Sequence, residues 1–296
     1  MKLKPVIQSM RLPFLLLTPV CVFLGVSTVI ANQININFYL LILVLSGALL
    51  GHISVNTLNE YFDFKSGLDF KTKRTKFSGG SGALPDNPES VRVVLAVAIA
   101  SLMVIVMMGV FFVWKFGLGI MPIGVLGLVL IVTYTSWVNK YPLLCLIAPG
   151  VGFGFLMVVG TQYVLLGEYL SLSWLAAIVP FFLVNNLLLL NQYPDIQADA
   201  TVGRNHFPIA YGIKNSNRVY AVFVLATMAV ITGASLMGYF PLLSLIALLP
   251  MPLAFFSLYG VIKHGEMIGD YPQYLGSNVA VAILTPLLLG ISIVIS

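Results

Sequence analysis

Asn59, Tyr61 and Asp63 recur in the same spacing as Asn191, Tyr193 and Asp195, and each triplet is followed by a further carboxylate, Asp69 or Asp199. The chain has ten acidic residues, and these four aspartates fall in two short stretches. Carboxylates that persist beside membrane spans mark working sites, because charge near hydrocarbon is expensive. Asn59 and Asp63 are four apart, so a helix carries both on one face. Asp195 and Asp199 share that spacing. Gly67 is expected to break the first helix and let Asp69 fold back. Pro194 is expected to kink or restart the second just before Asp195. Carboxylates drawn together repel unless protons or divalent cations intervene. Asn59, Asp63, Asp69, Asn191, Asp195 and Asp199 all offer oxygen, which suits Mg²⁺ or Ca²⁺ better than zinc. Mg²⁺ typically uses one or two carboxylates plus phosphate oxygens. Two carboxylate pairs could therefore hold Mg²⁺ against one diphosphate.

The loop after the first motif supplies counter-charge. Lys71-Thr72-Lys73-Arg74-Thr75-Lys76 leads into Ser78-Gly79-Gly80-Ser81-Gly82. Lys73, Arg74 and Lys76 are candidates for pairing with diphosphate oxygens, as is Arg204 after the second motif. A Gly/Ser-rich turn can also present backbone N–H groups to an anion. Taken alone, the basic run serves topology or lipid contact equally well.

Such groups need a scaffold, and the composition names it. Of 296 residues, 59% are hydrophobic and 8% charged, where soluble domains carry about 25% charged residues. Continuous apolar runs predict an all-α polytopic membrane bundle; the alternation of a β-barrel is absent. Nine transmembrane helices are expected at 13–31, 38–58, 91–113, 118–138, 143–166, 172–191, 217–238, 240–262 and 277–295. Residues 1–296 read as one transmembrane domain, with cytoplasmic motif loops at about 59–90 and 191–216. No small-residue cleavage site clearly follows the first span, so it reads as a membrane helix. With the N-terminus in the cytoplasm, fourteen of the fifteen Lys and Arg residues lie on that side and only Lys115 outside, a strong positive-inside pattern. The net charge of +5 is thus about topology and does not imply nucleic acid. The long connections follow spans two and six, which run in the same direction. The halves are therefore expected to form a parallel repeat about a pseudo-twofold axis along the membrane normal. Cys21 and Cys145 give neither a disulfide framework nor metal-ligand spacing.

The stretch Asn56-x-x-Asn59-Glu60-x-x-Asp63-x-x-x-Gly67-x-Asp69 resembles the first motif of UbiA-type intramembrane prenyltransferases, and Asp195-x-x-x-Asp199-x-x-x-Gly203-Arg204 resembles their second. The resemblance implies Mg²⁺-dependent transfer of an isoprenoid from its diphosphate to an acceptor. It makes Asn59, Asp63, Asp69, Asp195 and Asp199 the metal and diphosphate ligands, with Asp63, Asp195 and Asp199 central to catalysis. The Asn56/Asn59/Glu60/Asp63 arrangement is most similar to the 1,4-dihydroxy-2-naphthoate prenyltransferases of menaquinone synthesis. Glu60 stands where that branch often has Asp, and Gln192-Tyr193-Pro194 where an Asn-x-Arg run is commoner. 4-Hydroxybenzoate, homogentisate, a tetrapyrrole or a glycerol-phosphate lipid are alternative acceptors. Prenyl length and oligomeric state have no linear code.

Asn56, Tyr61, Tyr134, Lys140, Asn191 and Tyr193 are candidates for contacting the acceptor or steadying an allylic cation through ring faces. Lys140 reads first as a topology anchor, and Tyr61 and Tyr193 could equally be interfacial aromatics. His206 reads as a solvated loop residue before a catalytic one. His52, Asn185 and Asn186 read as interhelical hydrogen-bonding groups. Glu266 and Asp270 read as a solvated connection. A secondary transporter is the competing class. Its site would more often sit at the bilayer midplane, whereas these acids cluster at the cytoplasmic ends of spans. The glycine-spaced aspartate pattern of phosphatidyl-group transferases is absent.

Overall fold

The computed structural model describes residues 3–296. Every regular element among them is helical. Nine helices carry the architecture: α1 Leu12–Ile30, α2 Phe38–Ser66, α3 Pro88–Phe116, α4 Leu118–Thr133, α5 Pro142–Leu166, α6 Ser171–Ala200, α7 Phe207–Leu236, α8 Leu242–Asp270 and α9 Pro272–Ile295. All but α4 are long and apolar enough to cross a membrane; α4 is apolar but shorter.

Three boundaries differ from the sequence expectation. Helix α4 ends at Thr133 rather than near 138. Helix α7 begins at Phe207, well inside the segment read as loop. Pro208 starts it, where a missing N–H does no harm, and Gly212 interrupts it with φ 77°. That break and the polar run around Lys214–Arg218 hide its period. Between α8 and α9 the chain stays helical through a tight turn, Gly265–Asp270, and α9 starts at Pro272.

Helix α6 packs against α1, α5, α7 and α9 at the centre of the bundle. Its core includes Val179, Leu183, Val184, Leu189 and Leu190, all fully or almost fully buried. A polar clasp ties its neighbours in register. Asn186 Nδ2 donates to Tyr220 O on α7, Tyr220 Oη donates to Asn278 Oδ1 on α9 and to Ala254 O on α8, and Asn278 Nδ2 returns to Asn186 O. His52 on α2 bonds Thr18 on α1 at 2.8 Å, and the Gly150 amide of α5 donates to Asn185 Oδ1 on α6 at 2.6 Å. The three intramembrane polar residues therefore do form interhelical bonds. By contrast α3 turns Met103, Met107, Val110 and Trp114 outward, as a lipid-facing helix does.

Helix α5 is irregular for identifiable reasons. Pro149 removes one backbone donor, and Val151–Val159 follow as a π-helix. Gly150 and Gly154 face α6 so closely that a Cβ on either would collide with Phe181. This small-x-x-x-small contact lets two membrane backbones meet.

Candidate active site

Helix α2 spans 29 residues, about 44 Å at 1.5 Å per residue, which exceeds the roughly 30 Å hydrocarbon layer. Its last turns, carrying Asn59 and Asp63, therefore project past the apolar zone. The helix stops where Gly67 takes φ 76° and its N–H caps the carbonyls of Asp63 and Phe64. Only glycine adopts that geometry without strain. Helix α6 also continues past its apolar part. Tyr193–Asp195 forms one 3₁₀ turn opened by Pro194, and Ile196–Ala200 resumes the helix.

The two motifs meet across 141 positions of chain. The Arg204 guanidinium pairs with Asp63 Oδ1 through Nη2 and with Asp199 Oδ1 through Nη1, the latter at 2.9 Å. His206 Nε2 lies 2.9 Å from Asp199 Oδ2. Asp195 Oδ2 accepts from the Gly79 amide at 3.0 Å, so the glycine loop is bound directly to the second motif. Burial alone would depress the Arg204 pKa, but Asp63 and Asp199 outweigh it and the net shift is upward. The guanidinium stays charged.

A second cation completes the mouth. Arg11, with a left-handed backbone at φ 54°, donates through Nε and Nη2 to Glu60 Oε1 at 3.0 and 2.6 Å and through Nη2 to Asn59 Oδ1 at 3.1 Å. Glu60 is fully buried and also accepts from the Ser81 amide and hydroxyl. One carboxylate thus joins the N-terminal segment, α2 and the glycine loop. A non-glycine residue held in this backbone region is strained, and such strain clusters at functional sites.

These groups ring the mouth of a cavity of about 720 Å³. Asn59, Asp63, Asn191, Asp195, Asp199, Arg11, Arg204, His206 and the Ser78–Gly80 backbone line its polar end. Beyond them the walls turn apolar, with Gly47, Gly51, Gly124 and Gly127 leaving room among Ile131, Phe153, Leu156 and Met157 from α2, α4 and α5. The lining continues to Val106, Val110 and Val125, which are exposed on the bundle surface. An anionic head with a long apolar tail matches this division.

The candidate residues separate clearly. Asn56, Asn59, Asp63, Tyr134, Asn191, Asp195, Asp199 and Arg204 reach the cavity wall. Asp69 does not line it; it is buried behind Gly80, whose φ of 76° and missing Cβ let the loop lie against its carboxylate. Burial first, then Glu60 and Asp63, push the Asp69 carboxyl up to about 7. Lys73 pairs with Asp270 and Arg74 with Asp86, both at exposed positions, while Lys76 lies over the Phe77 ring. None of the three lines the cavity. Tyr61 sits beneath Lys65, and Lys140 is exposed. Tyr193 is fully buried in the core and donates to Asn217. The two motif tyrosines therefore occupy different environments despite their matching places in sequence.

The donor chemistry suits a hard cation. Among the described residues no three His, Cys, Asp or Glu side chains form a closed metal cage. Buried oxygens of Asp69, Asn191 and Asp195 nonetheless have no hydrogen-bond partner. An all-oxygen set with spare lone pairs fits Mg²⁺, which keeps water and phosphate oxygens in its shell.

Sequence reading missed Arg11, which looks like one more positive-inside residue, and the burial of His206. The available signal at His206 was its spacing of seven from Asp199. No sequence signal marks the left-handed backbone of Arg11.

Comparison with known proteins agrees with this geometry. The model of the UbiA prenyltransferase family matches residues 18–267. The chain is 27% identical over 216 residues to 1,4-dihydroxy-2-naphthoate octaprenyltransferase of Bacillus subtilis (strain 168), covering 68% of this chain and 66%, just under two thirds, of that relative. Its fold is similar to digeranylgeranylglyceryl phosphate synthase, with TM-score 0.69, 14% identity and 99% of each chain covered. It is equally similar to a UbiA homologue from Archaeoglobus fulgidus bound to GPP and Mg²⁺, with TM-score 0.69, 16% identity, and 99% and 100% covered. Carrying that family match over most of its length and an all-helical membrane bundle of the same fold, the chain belongs to the UbiA prenyltransferase family.

Proposed function

We propose that this protein transfers a prenyl group from its diphosphate to an aromatic acceptor such as 1,4-dihydroxy-2-naphthoate, with Mg²⁺ and at the cytoplasmic face of the membrane. One observation carries the reading: Asp63 from the first motif and Asp195 and Asp199 from the second meet at the polar mouth of one apolar cavity. The charge bias of the loops supports the orientation. The B. subtilis relative supports the acceptor class, and the GPP- and Mg²⁺-bound archaeal homologue supports the donor class.

Asn59, Asp63, Asp195 and Asp199 are the residues at the mouth that would hold Mg²⁺, with Asp69 behind the glycine loop. When bound, the metal supplies Lewis-acid neutralisation of the leaving diphosphate. The chain's own groups do the rest. Arg11 and Arg204 are fixed cations at the cavity mouth. They stabilise negative charge as it grows on the bridging oxygen. The Gly79 and Gly80 backbone approaches the same space because no Cβ intervenes. The allylic C–O bond breaks with its electron pair leaving on the diphosphate. The apolar walls then keep water from the allylic cation, and Tyr134 and Phe153 offer ring faces to it. An electron-rich acceptor carbon supplies the pair for the new C–C bond.

The test is incubation of purified protein with geranyl diphosphate, Mg²⁺ and 1,4-dihydroxy-2-naphthoate, read by mass spectrometry. Asp63→Ala and Asp195→Ala are each expected to abolish Mg²⁺-dependent transfer. Full activity in both variants would remove the assignment.

A further inference from the structure

Three buried atoms at the cavity have no partner: Asn139 Oδ1, Asn191 Oδ1 and His206 Nδ1. All three residues line its wall. Two are defined as acceptors by what their other ends do. Asn139 donates Nδ2 to Thr135 O at 2.6 Å, leaving its carbonyl free. Asp199 already receives the Arg204 guanidinium, so its carboxylate accepts from His206. Nε2 then carries the ring hydrogen, and Nδ1 of the neutral imidazole presents a bare lone pair. Asn139 and His206 are also held together: the Asn205 amide donates to Asn139 O at 2.9 Å, fixing the residue before His206 against it. Both are buried, at 7% and 1% exposure. Buried acceptors without donors are unfavourable, and nothing in the wall supplies the missing hydrogens.

We propose that Asn139 and His206, with Asn191 beside them, form the subsite that takes the acceptor by its hydroxyl hydrogens. The acceptor is then a donor-rich aromatic, a phenol or hydroquinone. Converging lone pairs repel a carboxylate or a diphosphate oxygen, so this wall is not the diphosphate's. The anionic end belongs beside Arg11, Arg204 and the glycine loop. The inference rests on the prenyl-transfer reading and sharpens its acceptor class. Here His206 is an orienting residue that contacts substrate, held in one tautomer by Asp199.

The experiment measures KM separately for geranyl diphosphate and for 1,4-dihydroxy-2-naphthoate in the unmodified protein, Asn139→Leu and His206→Phe. Each variant is expected to raise the acceptor KM roughly tenfold, the size of one neutral hydrogen bond, with the geranyl diphosphate KM within about twofold. Mono-O-methyl ethers of the acceptor keep the test independent of variant folding. In the unmodified protein, methylating a recognised hydroxyl should lower kcat/KM by a similar factor, and the variant lacking its partner should show no further loss. Unmoved acceptor KM values, parallel rises in both KM values, or full tolerance of methylation overturn the subsite. Absence of transfer to any aromatic by the unmodified protein overturns the parent reading as well.

Discussion

Arg204 ties Asp63 to Asp199, so one side chain links the end of α2 to the end of α6. Both carboxylates are buried and have little water to fall back on. Replacing Arg204 with Ala leaves two like charges facing each other. Breaking a buried pair in this way costs about 3–5 kcal/mol. Arg204→Ala should therefore lower the melting temperature in metal-free detergent solution, and Mg²⁺ should restore part of the loss by taking over the carboxylates. Arg204→Lys should recover little activity, because an ammonium cannot reproduce the forked contact. Equal melting temperatures for unmodified and Arg204→Ala protein would contradict this role.

Asp69 lies in the loop beyond α2 with its carboxyl pushed up to about 7, by burial first and then by Glu60 and Asp63. The sign follows from linkage. Unfolded, the group ionises near its ordinary 3.8; folded, it holds its proton until about pH 7. Its contribution to stability is complete below the lower value and is lost as pH rises through the upper one. The metal-free protein should lose melting temperature between those limits and level off above them, and Asp69→Asn should flatten that decline. Added Mg²⁺ favours the ionised form, so its stabilising effect should grow over the same range. Thermal unfolding across pH, in chelator and in Mg²⁺, reads both slopes. An unchanged slope in Asp69→Asn sinks the assignment.

The sequence was most legible where composition and periodicity act alone. Long apolar runs and loop charge determine a helical bundle, because hydrocarbon admits little else. Asn59/Asp63 and Asp195/Asp199 were legible because a helix turns that spacing into one face. Lys73 and Arg74 show where such reading stops. Their place in a basic run matches a phosphate-binding loop, yet each is taken by a carboxylate, Asp270 or Asp86, whose approach depends on tertiary packing. Tyr61 and Tyr193 make the same point. One motif gives both residues, but α2 ends at the surface, whereas Tyr193 opens a turn packed into the core. Arg11 was invisible as a site residue because its role comes from a left-handed backbone and from Glu60, nearly fifty positions away.

The close contact of α5 with α6 predicts a steric phenotype far from the mouth. A Cβ at Gly154 would meet Ala177 O at 2.6 Å and Phe181 N at 2.8 Å. Backbone atoms cannot swing aside, so the helices must separate. Overpacking of this kind costs typically about 1–3 kcal/mol. Gly154→Ala should lower the melting temperature and Gly154→Leu should prevent stable purification. Gly152 faces the cavity with no atom near its missing Cβ, so Gly152→Ala should leave stability unchanged. Comparing these neighbouring variants by thermal unfolding separates helix packing from general damage to the π-helical segment.

Glu60 supplies the last prediction, because it is the one carboxylate that joins three segments without lining the cavity. It accepts from Arg11 on one side and from the Ser81 amide and hydroxyl on the other. The glycine loop is thereby strapped over the mouth, with Gly79 bonded to Asp195 at its other end. Glu60→Gln keeps the shape but weakens the charge-assisted bonds, which are roughly twice as strong as neutral ones. The loop should open more often, and Arg11 should lose the contact that aims it. The diphosphate KM should then rise several-fold while the acceptor KM changes little, since Asn139 and His206 lie on another wall. Limited proteolysis should cut faster between Ser78 and Gly82. Glu60→Asp retains the charge but withdraws it by one methylene, so it should restore Arg11 pairing without reaching Ser81, and loop cleavage should stay fast while diphosphate binding partly recovers. Slow cleavage in both variants would mean that the loop is held by Asp195 and Asp69 alone.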